Sequence, residues 1–212
     1  MKERPILFSA PMVRAILSGL KTQTRRLMKN PPTPSEHFPW LGVKSLRGPG
    51  HFVYPNALRQ ILAECPYGEP GDQIWVRETW DFLPSGTSEC MIRYFADNAM
   101  EQRTTPSNFN PFIYGNEKKR PSIHMPRWAS RILLEIVSVR VERLQDISEA
   151  DSLAEGVLPE PCDHSRRSCE EIGCYGDTAK AAYRGLWEQI NGPSSWHSNP
   201  WVWVVEFKRI EP

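Results

Sequence analysis

Long apolar runs are missing from this 212-residue chain. No stretch approaches the roughly 20 residues that a membrane helix needs, so no helical span and no membrane partner are expected. Residues 1–11 lack the apolar segment of a secretory signal, and the expected compartment is the cytoplasm. An excess of one charge is missing too: 26 Lys and Arg face 25 Asp and Glu, for a net charge of +1. The field of the whole molecule therefore makes no case for a polyanion partner, and any such case must rest on local clusters. Cysteine is scarce and odd in number, at 5, which argues against a disulfide framework in a reducing compartment. Internal repeats, heptads and long runs of like charge are absent.

What the chain does have is 20 prolines and 8 tryptophans. Proline marks loops and rigid turns. Tryptophan either fills a core or offers a flat face to a base. With 40% hydrophobic and 24% charged residues, residues 1–212 read as a single domain able to bury a core without metal or disulfide.

Residues 5–8 read as a short buried strand. Pro11 suits a first helical turn, Val13, Ile16, Leu17 and Leu20 form a helical stripe, and Gly19 suits its end. Lys21–Arg26 is polar and extended. Residues 29–56, dense in Pro, Gly and Ser, read as a long loop. A turn at Pro70-Gly71-Asp72 leads into a strand over 73–80, with a partner over 91–95. Residues 131–141 are strongly β-forming, and a switch in their alternation hints at a bulge. Ser148 and Asp151 mark a helix start, with Ile147 as staple and Gly156 as end. Residues 178–190 form an amphipathic helix, and 201–210 a closing strand. Strands and short helices without regular alternation predict an α+β fold, a small mixed barrel with helices outside.

Four clusters could carry chemistry. Lys21, Arg25 and Arg26, with Thr22 and Thr24, follow a helix end. They are either a solvated edge strand or a phosphate or base site, cations giving charge and threonines hydroxyls. A lysine desolvated in a cleft can also act as a base. Arg77, Glu78 and Thr79 lie between Trp75 and Trp80. Alternation puts Glu78 on the face of Ile74 and Val76, where it pairs with a buried arginine or sits at a cleft mouth. In the cluster Arg120, His124, Arg127 and Trp128, His124 is either an acid/base or a structural histidine, and Arg127 beside Trp128 suits stacking on a base with phosphate contact, or anchors a loop with Trp128 in the core. Cys162, His164, Cys169 and Cys174 match the ligand set of a structural zinc site, in a spacing that is not a common finger. The alternative is a loop of reduced thiols. Asn199, near the closing strand, is a candidate to line the cleft. No organic cofactor is expected.

The stretch Ile16-Leu17-Ser18-Gly19-Leu20-Lys21-Thr22-Gln23-Thr24 resembles the signature of the ASCH family. The Gly71-Asp72 turn, the segment 144–156 and Val204-Val205-Glu206-Phe207 resemble further family landmarks in the family's order. Residues 75–80 and 123–128 look like a larger, phage-associated branch. The resemblance covers most of the chain except residues 29–64, 97–119 and 160–177, which read as insertions. It implies a PUA-like open β-barrel with short flanking helices, and nucleotide or RNA chemistry. One small family member is an amidohydrolase that removes the acetyl group of N4-acetylcytidine with a Lys, a Thr and a Glu. Its lysine matches Lys21, its threonine Thr24, and its glutamate aligns with Glu155 through helix context alone. Other members are linked to RNA binding or RNA cleavage.

Two functions follow as expectations. One is a hydrolase of N4-acylated cytidine or a related nucleoside, with Lys21 as base and Arg25, Arg26, Arg77, Glu78, His124, Arg127, Trp128 and Asn199 as candidate substrate contacts. The other is a non-catalytic reader of RNA or a modified base, with an RNA-cleaving protein between the two. In a plain strand Lys21 and Thr24 face opposite ways. The Lys–Thr pair of the hydrolase therefore requires a turn or bulge near Thr22.

Overall fold

Eleven strands and five short α-helices make up the computed structural model, which describes residues 1–35, 39–114, 118–159 and 178–210, Tyr114 without its side chain. In chain order they are β1 (Glu3–Leu7), α1 (Ala10–Leu17), β2 (Gln23–Leu27), β3 (Thr33–Pro34), β4 (Leu41–Lys44), β5 (His51–Tyr54) and α2 (Leu58–Ala63). There follow β6 (Gln73–Arg77), β7 (Trp80–Pro84), β8 (Glu89–Tyr94), β9 (Met100–Thr104), α3 (Pro111–Tyr114) and β10 (Leu133–Arg143). The chain ends with α4 (Glu149–Ala154), α5 (Ala179–Asn191) and β11 (Trp201–Ile210). The class is α+β. Among the described residues no sheet closes into a barrel, and no helix is long and apolar enough to cross a membrane.

The chain divides into two compact units. The first comprises Met1–Gly19, Gly71–Glu135 and Lys208–Pro212. In it β1 runs parallel to β6, and the start of β10 runs antiparallel to β6. A strand whose two faces are both covered needs apolar residues on both. Ile74, Trp75 and Val76 are accordingly all buried. The same unit holds the meander β7–β8–β9. Its core joins Trp80, Phe82, Cys90, Ile92, Tyr94 and Met125, with Trp128 and Phe109 against them. The expected strand over 73–80 is two strands: β6 ends at Arg77 and β7 starts at Trp80. The break falls at Glu78, whose buried carboxylate is committed to an ion pair described below.

The second unit comprises Leu20–Pro70 and Ile136–Phe207. Here the order is β10–β11–β2, with β11 antiparallel to β2. Val202 and Val204 of β11 pack with Leu144, Ile147, Tyr183, Trp187 and Trp196. Trp203, which alternation points the other way, lines a void of about 10 Å³ with Met28, Val43 and Ile61. The segment expected to be a loop over 29–56 carries the three-stranded sheet β3–β4–β5. Its strands are only two to four residues long. Their pairing and the burial of Val43, not local propensity, hold them extended.

Candidate functional site

Two local signals deliver Lys21 and Glu155 to one another. Helix α1 stops at Leu17, and Gly19 just beyond it turns the chain with a φ of +77°, a conformation that glycine adopts freely. Helix α4 starts at Ser148, whose hydroxyl accepts from the Asp151 N–H at 3.0 Å. It ends at Glu155, in the capping position, before Gly156 at φ +84°. Lys21 and Glu155 form an isolated antiparallel bridge, and the Thr22 N–H donates to the Ala154 carbonyl at 2.8 Å. Replacing Ser148 by alanine should cost about 1 kcal/mol of stability, read by urea unfolding. An unchanged midpoint would mean that the cap does not hold α4.

The Lys21 side chain is 0% exposed. Its Nζ donates to Glu155 Oε2 at 2.7 Å, to the Glu155 carbonyl at 2.8 Å and to the Gln23 carbonyl at 2.7 Å. An ammonium has three hydrogens, and three acceptors surround this one. Burial pulls the Lys21 ammonium below its ordinary value, against the raising effect of Glu155.

Arg25 is equally enclosed, at 0% side-chain exposure. It reaches Glu142 Oε2 at 3.1 Å, Asp151 Oδ2 at 3.3 Å and Glu155 Oε1 at 3.5 Å. Arg140 donates to Glu142, Glu206, Gln23 and Asp151, the last at 2.9 Å. Burial pushes the Asp151 carboxyl up, but the Ser148 hydrogen bond and the charges of Arg25 and Arg140 hold it below its ordinary value. Lys21, Arg25 and Arg140 are thus interleaved with four carboxylates. Sequence reasoning missed Glu142, Arg140, Asp151 and Glu206 as members of this site. A signal was present: in β10 the polar Ser138, Arg140 and Glu142 alternate with Val139 and Val141.

Thr24 lies elsewhere. Strand β2 pairs regularly with β11, Gln23 opposite Glu206 and Thr24 opposite Val205. The Phe207 N–H continues that register by donating to the Thr22 carbonyl. The register carries no bulge at Thr22, so Thr24 faces away from Gln23 and Arg25. Arg26 is half-buried opposite Trp203. Asn199 braces the turn before β11: its Oδ1 accepts from the Gln145 N–H at 2.8 Å and its carbonyl from Arg143 at 2.9 Å.

The other candidates belong to the first unit. Glu78 takes both oxygens to Arg131, at 2.9 and 3.0 Å, and Arg131 also binds Asp97 at 2.8 and 2.9 Å. Its guanidinium lies 4.1 Å from the Tyr94 ring centroid. Burial pushes the Glu78 carboxyl up, with Arg131 opposing. Arg77 lies over the Trp75 ring and donates to the Ile123 carbonyl. Arg127 pairs with Glu3 at 2.6 Å. Trp128 packs edge-on against Trp80. His124 is exposed. Arg77, Glu78, Arg127 and Trp128 are thus engaged within their own unit. Cys162, His164, Cys169 and Cys174 lie outside the described residues. Among the described residues no group of three or more His, Cys, Asp or Glu could hold a metal.

Asp97 gives this unit a pH signature. The hydrogen bonds from Arg131 hold its carboxyl below the ordinary 3.8. A depressed carboxyl stabilises the fold above its unfolded value, and that stability is lost as pH falls through the folded one. Asp97→Asn should therefore cost stability near neutral pH, and the difference from wild type should shrink below about pH 4. Denaturant titrations at the two pH values test this; a constant difference would rule it out.

Comparison with protein-family models, with curated proteins and with solved structures finds no match.

Proposed function

We propose that the chain is an ASCH-type protein of PUA-like ancestry that hydrolyses an N4-acylated cytidine or a related modified nucleoside. One observation carries the reading. Lys21 and Glu155, 134 positions apart, each resemble a residue of the family's amidohydrolase, and they meet at 2.7 Å. A buried lysine beside a carboxylate is a base whose proton can be exchanged.

Water, not Thr24, is the nucleophile in this reading, because Thr24 faces the other side of β2. The Lys21 amine takes a proton from water as its oxygen adds to the acyl carbon. The C–N4 bond then breaks, and the Lys21 ammonium returns that proton to the departing N4 amine. Glu155 holds Lys21 in place through both states. The products are cytidine and a carboxylic acid, which ionises to the carboxylate and releases its proton to solvent. The test is turnover of N4-acetylcytidine by purified protein, with cytidine resolved by chromatography. No cytidine above the uncatalysed rate ends the hydrolase reading.

A second reading, a non-catalytic reader of RNA or a modified base, has its own support in the three acceptors that already satisfy the Lys21 ammonium. It requires binding of the nucleoside or RNA without turnover. For Cys162, His164, Cys169 and Cys174 we retain the proposal of a structural zinc. Protein purified without chelator should then carry about one zinc per chain, and metal analysis finding none would remove it.

A further inference from the structure

Gln23 opens β2 and stands between the enclosed and the open half of the charged cluster. Lys21 and Arg25 are enclosed, whereas the side chains of Arg140 and Glu206 are 30% and 37% exposed. Gln23 lies opposite Glu206 in the register of β2 and β11. Its carbonyl accepts from the Lys21 ammonium. A ligand that enters by the open half reaches Lys21 past Gln23.

The partner of the Gln23 side chain fixes which way its amide points. Arg140 Nη2 donates to Oε1 at 3.1 Å. A guanidinium can only donate, so the oxygen faces it and the nitrogen points away. The same Nη2 donates to Asp151 Oδ1 at 2.9 Å, which holds Arg140 in turn. Gln23 is buried, and among the described residues its amide nitrogen is sealed from solvent and meets no acceptor in hydrogen-bonding geometry. The Asp151 carboxylate stands on that side and can take at most one of the two N–H groups. A buried donor left unpaired is costly, and a catalytic role is one physical reason for a fold to keep one. Beside Lys21, the missing partner is an oxygen of the ligand.

Charge selects the kind of oxygen. Three cations, Lys21, Arg25 and Arg140, stand against four carboxylates, Glu142, Asp151, Glu155 and Glu206. A phosphate would meet an excess of negative charge, and an uncharged carbonyl would not. We infer that the Gln23 side-chain amide takes the acyl oxygen of the ligand and steadies the negative charge that builds on it as water adds. The identity of that ligand rests on the hydrolase reading, and the role of Gln23 deepens it.

The probes are N4-acetylcytidine and N4-ethylcytidine, which has a methylene in place of the acyl carbonyl, each with the full chain. Affinities come from KM and competitive inhibition where the protein turns over, and from calorimetry where it does not. Gln23→Met keeps the side-chain length and removes the donor. Gln23→Glu keeps an oxygen for Arg140 and puts an acceptor where the donor was, so it tests the donor even if the methionine variant does not fold. Both should lower kcat for N4-acetylcytidine by about 10²–10³-fold, the usual effect of losing one oxyanion donor. Wild type should also bind the acetyl compound more tightly than the ethyl compound, and both variants should lose that preference. General loosening of the site would weaken both ligands alike and leave the preference in place. An unreduced kcat, or the same preference in wild type and variants, would overturn the role of Gln23 and leave the hydrolase reading standing. Binding without turnover would end the hydrolase reading, and the preference alone would then decide for or against Gln23. No binding of N4-acetylcytidine to wild type would overturn both.

Discussion

Replacing Arg131 by methionine is expected to lower the unfolding free energy by about 3–5 kcal/mol and the melting temperature by about 6–20 °C. Arg131 is the shared partner of Glu78 and Asp97. Without it the two carboxylates fare differently. Asp97 is partly open to solvent and rehydrates, whereas Glu78, at 2% side-chain exposure, is left charged in an apolar surround or must take up a proton. The methionine also forfeits the cation over the Tyr94 ring. Burying an ion pair adds little net stability, but breaking one is expensive. The double variant Arg131→Met, Glu78→Leu should therefore recover much of the loss. Differential scanning calorimetry of the wild type and both variants checks this. A single variant as stable as wild type would mean that Glu78 is not enclosed as described.

This ion pair also marks how far the sequence could be read. Alternation placed Glu78 on the face of Ile74 and Val76 and left two roles open, a buried arginine pair or a cleft mouth; it could not choose among the chain's arginines. The partner, Arg131, lies 53 positions away and is selected by the pairing of β10 with β6. The β-rich segments read at 73–80, 131–141 and 201–210 were legible because branched and aromatic residues recur in them, although β6 stops at Arg77 and β10 spans Leu133–Arg143. Residues 29–56 were not: they are proline-rich, and β3 is two residues long. Such strands exist only through their partners, and no local pattern announces them.

The candidate site divides the same way. The caps at Ser148 and Gly156 and the helix end at Gly19 were readable from turn chemistry, and they deliver Glu155 and Lys21. The fate of Arg25 was not readable. It was expected to reach substrate, and its guanidinium is instead enclosed by Glu142, Asp151 and Glu155, partners between 117 and 130 positions away for the two glutamates. A cation on a short strand reads the same whether it faces solvent or a carboxylate brought from another element.

Lys21→Met is expected to lower the turnover of N4-acetylcytidine by about 10²–10⁴-fold, the usual contribution of a positioned general base. Because Lys21 is fully enclosed, the substitution also removes the closest partner of Glu155. Arg25, at 3.5 Å, remains to hold that carboxylate, so the fold should survive with reduced stability. Rates must therefore be taken per folded molecule, with the folded fraction measured by circular dichroism in the same buffer. The pH profile separates chemistry from damage. Burial holds the Lys21 ammonium below its ordinary value, so the neutral amine is populated at lower pH than for a free lysine. In wild type kcat should rise with pH as that amine forms, and in Lys21→Met this limb should vanish. A merely destabilised enzyme would keep the limb at lower amplitude. Thr24→Val should leave kcat nearly unchanged, since water attacks and the threonine faces away. If Thr24→Val instead costs as much as Lys21→Met, the hydroxyl is the nucleophile and β2 must rearrange to present it. If Lys21→Met turns over at the wild-type rate, the Lys21–Glu155 pair is a structural ion pair and the hydrolase reading fails.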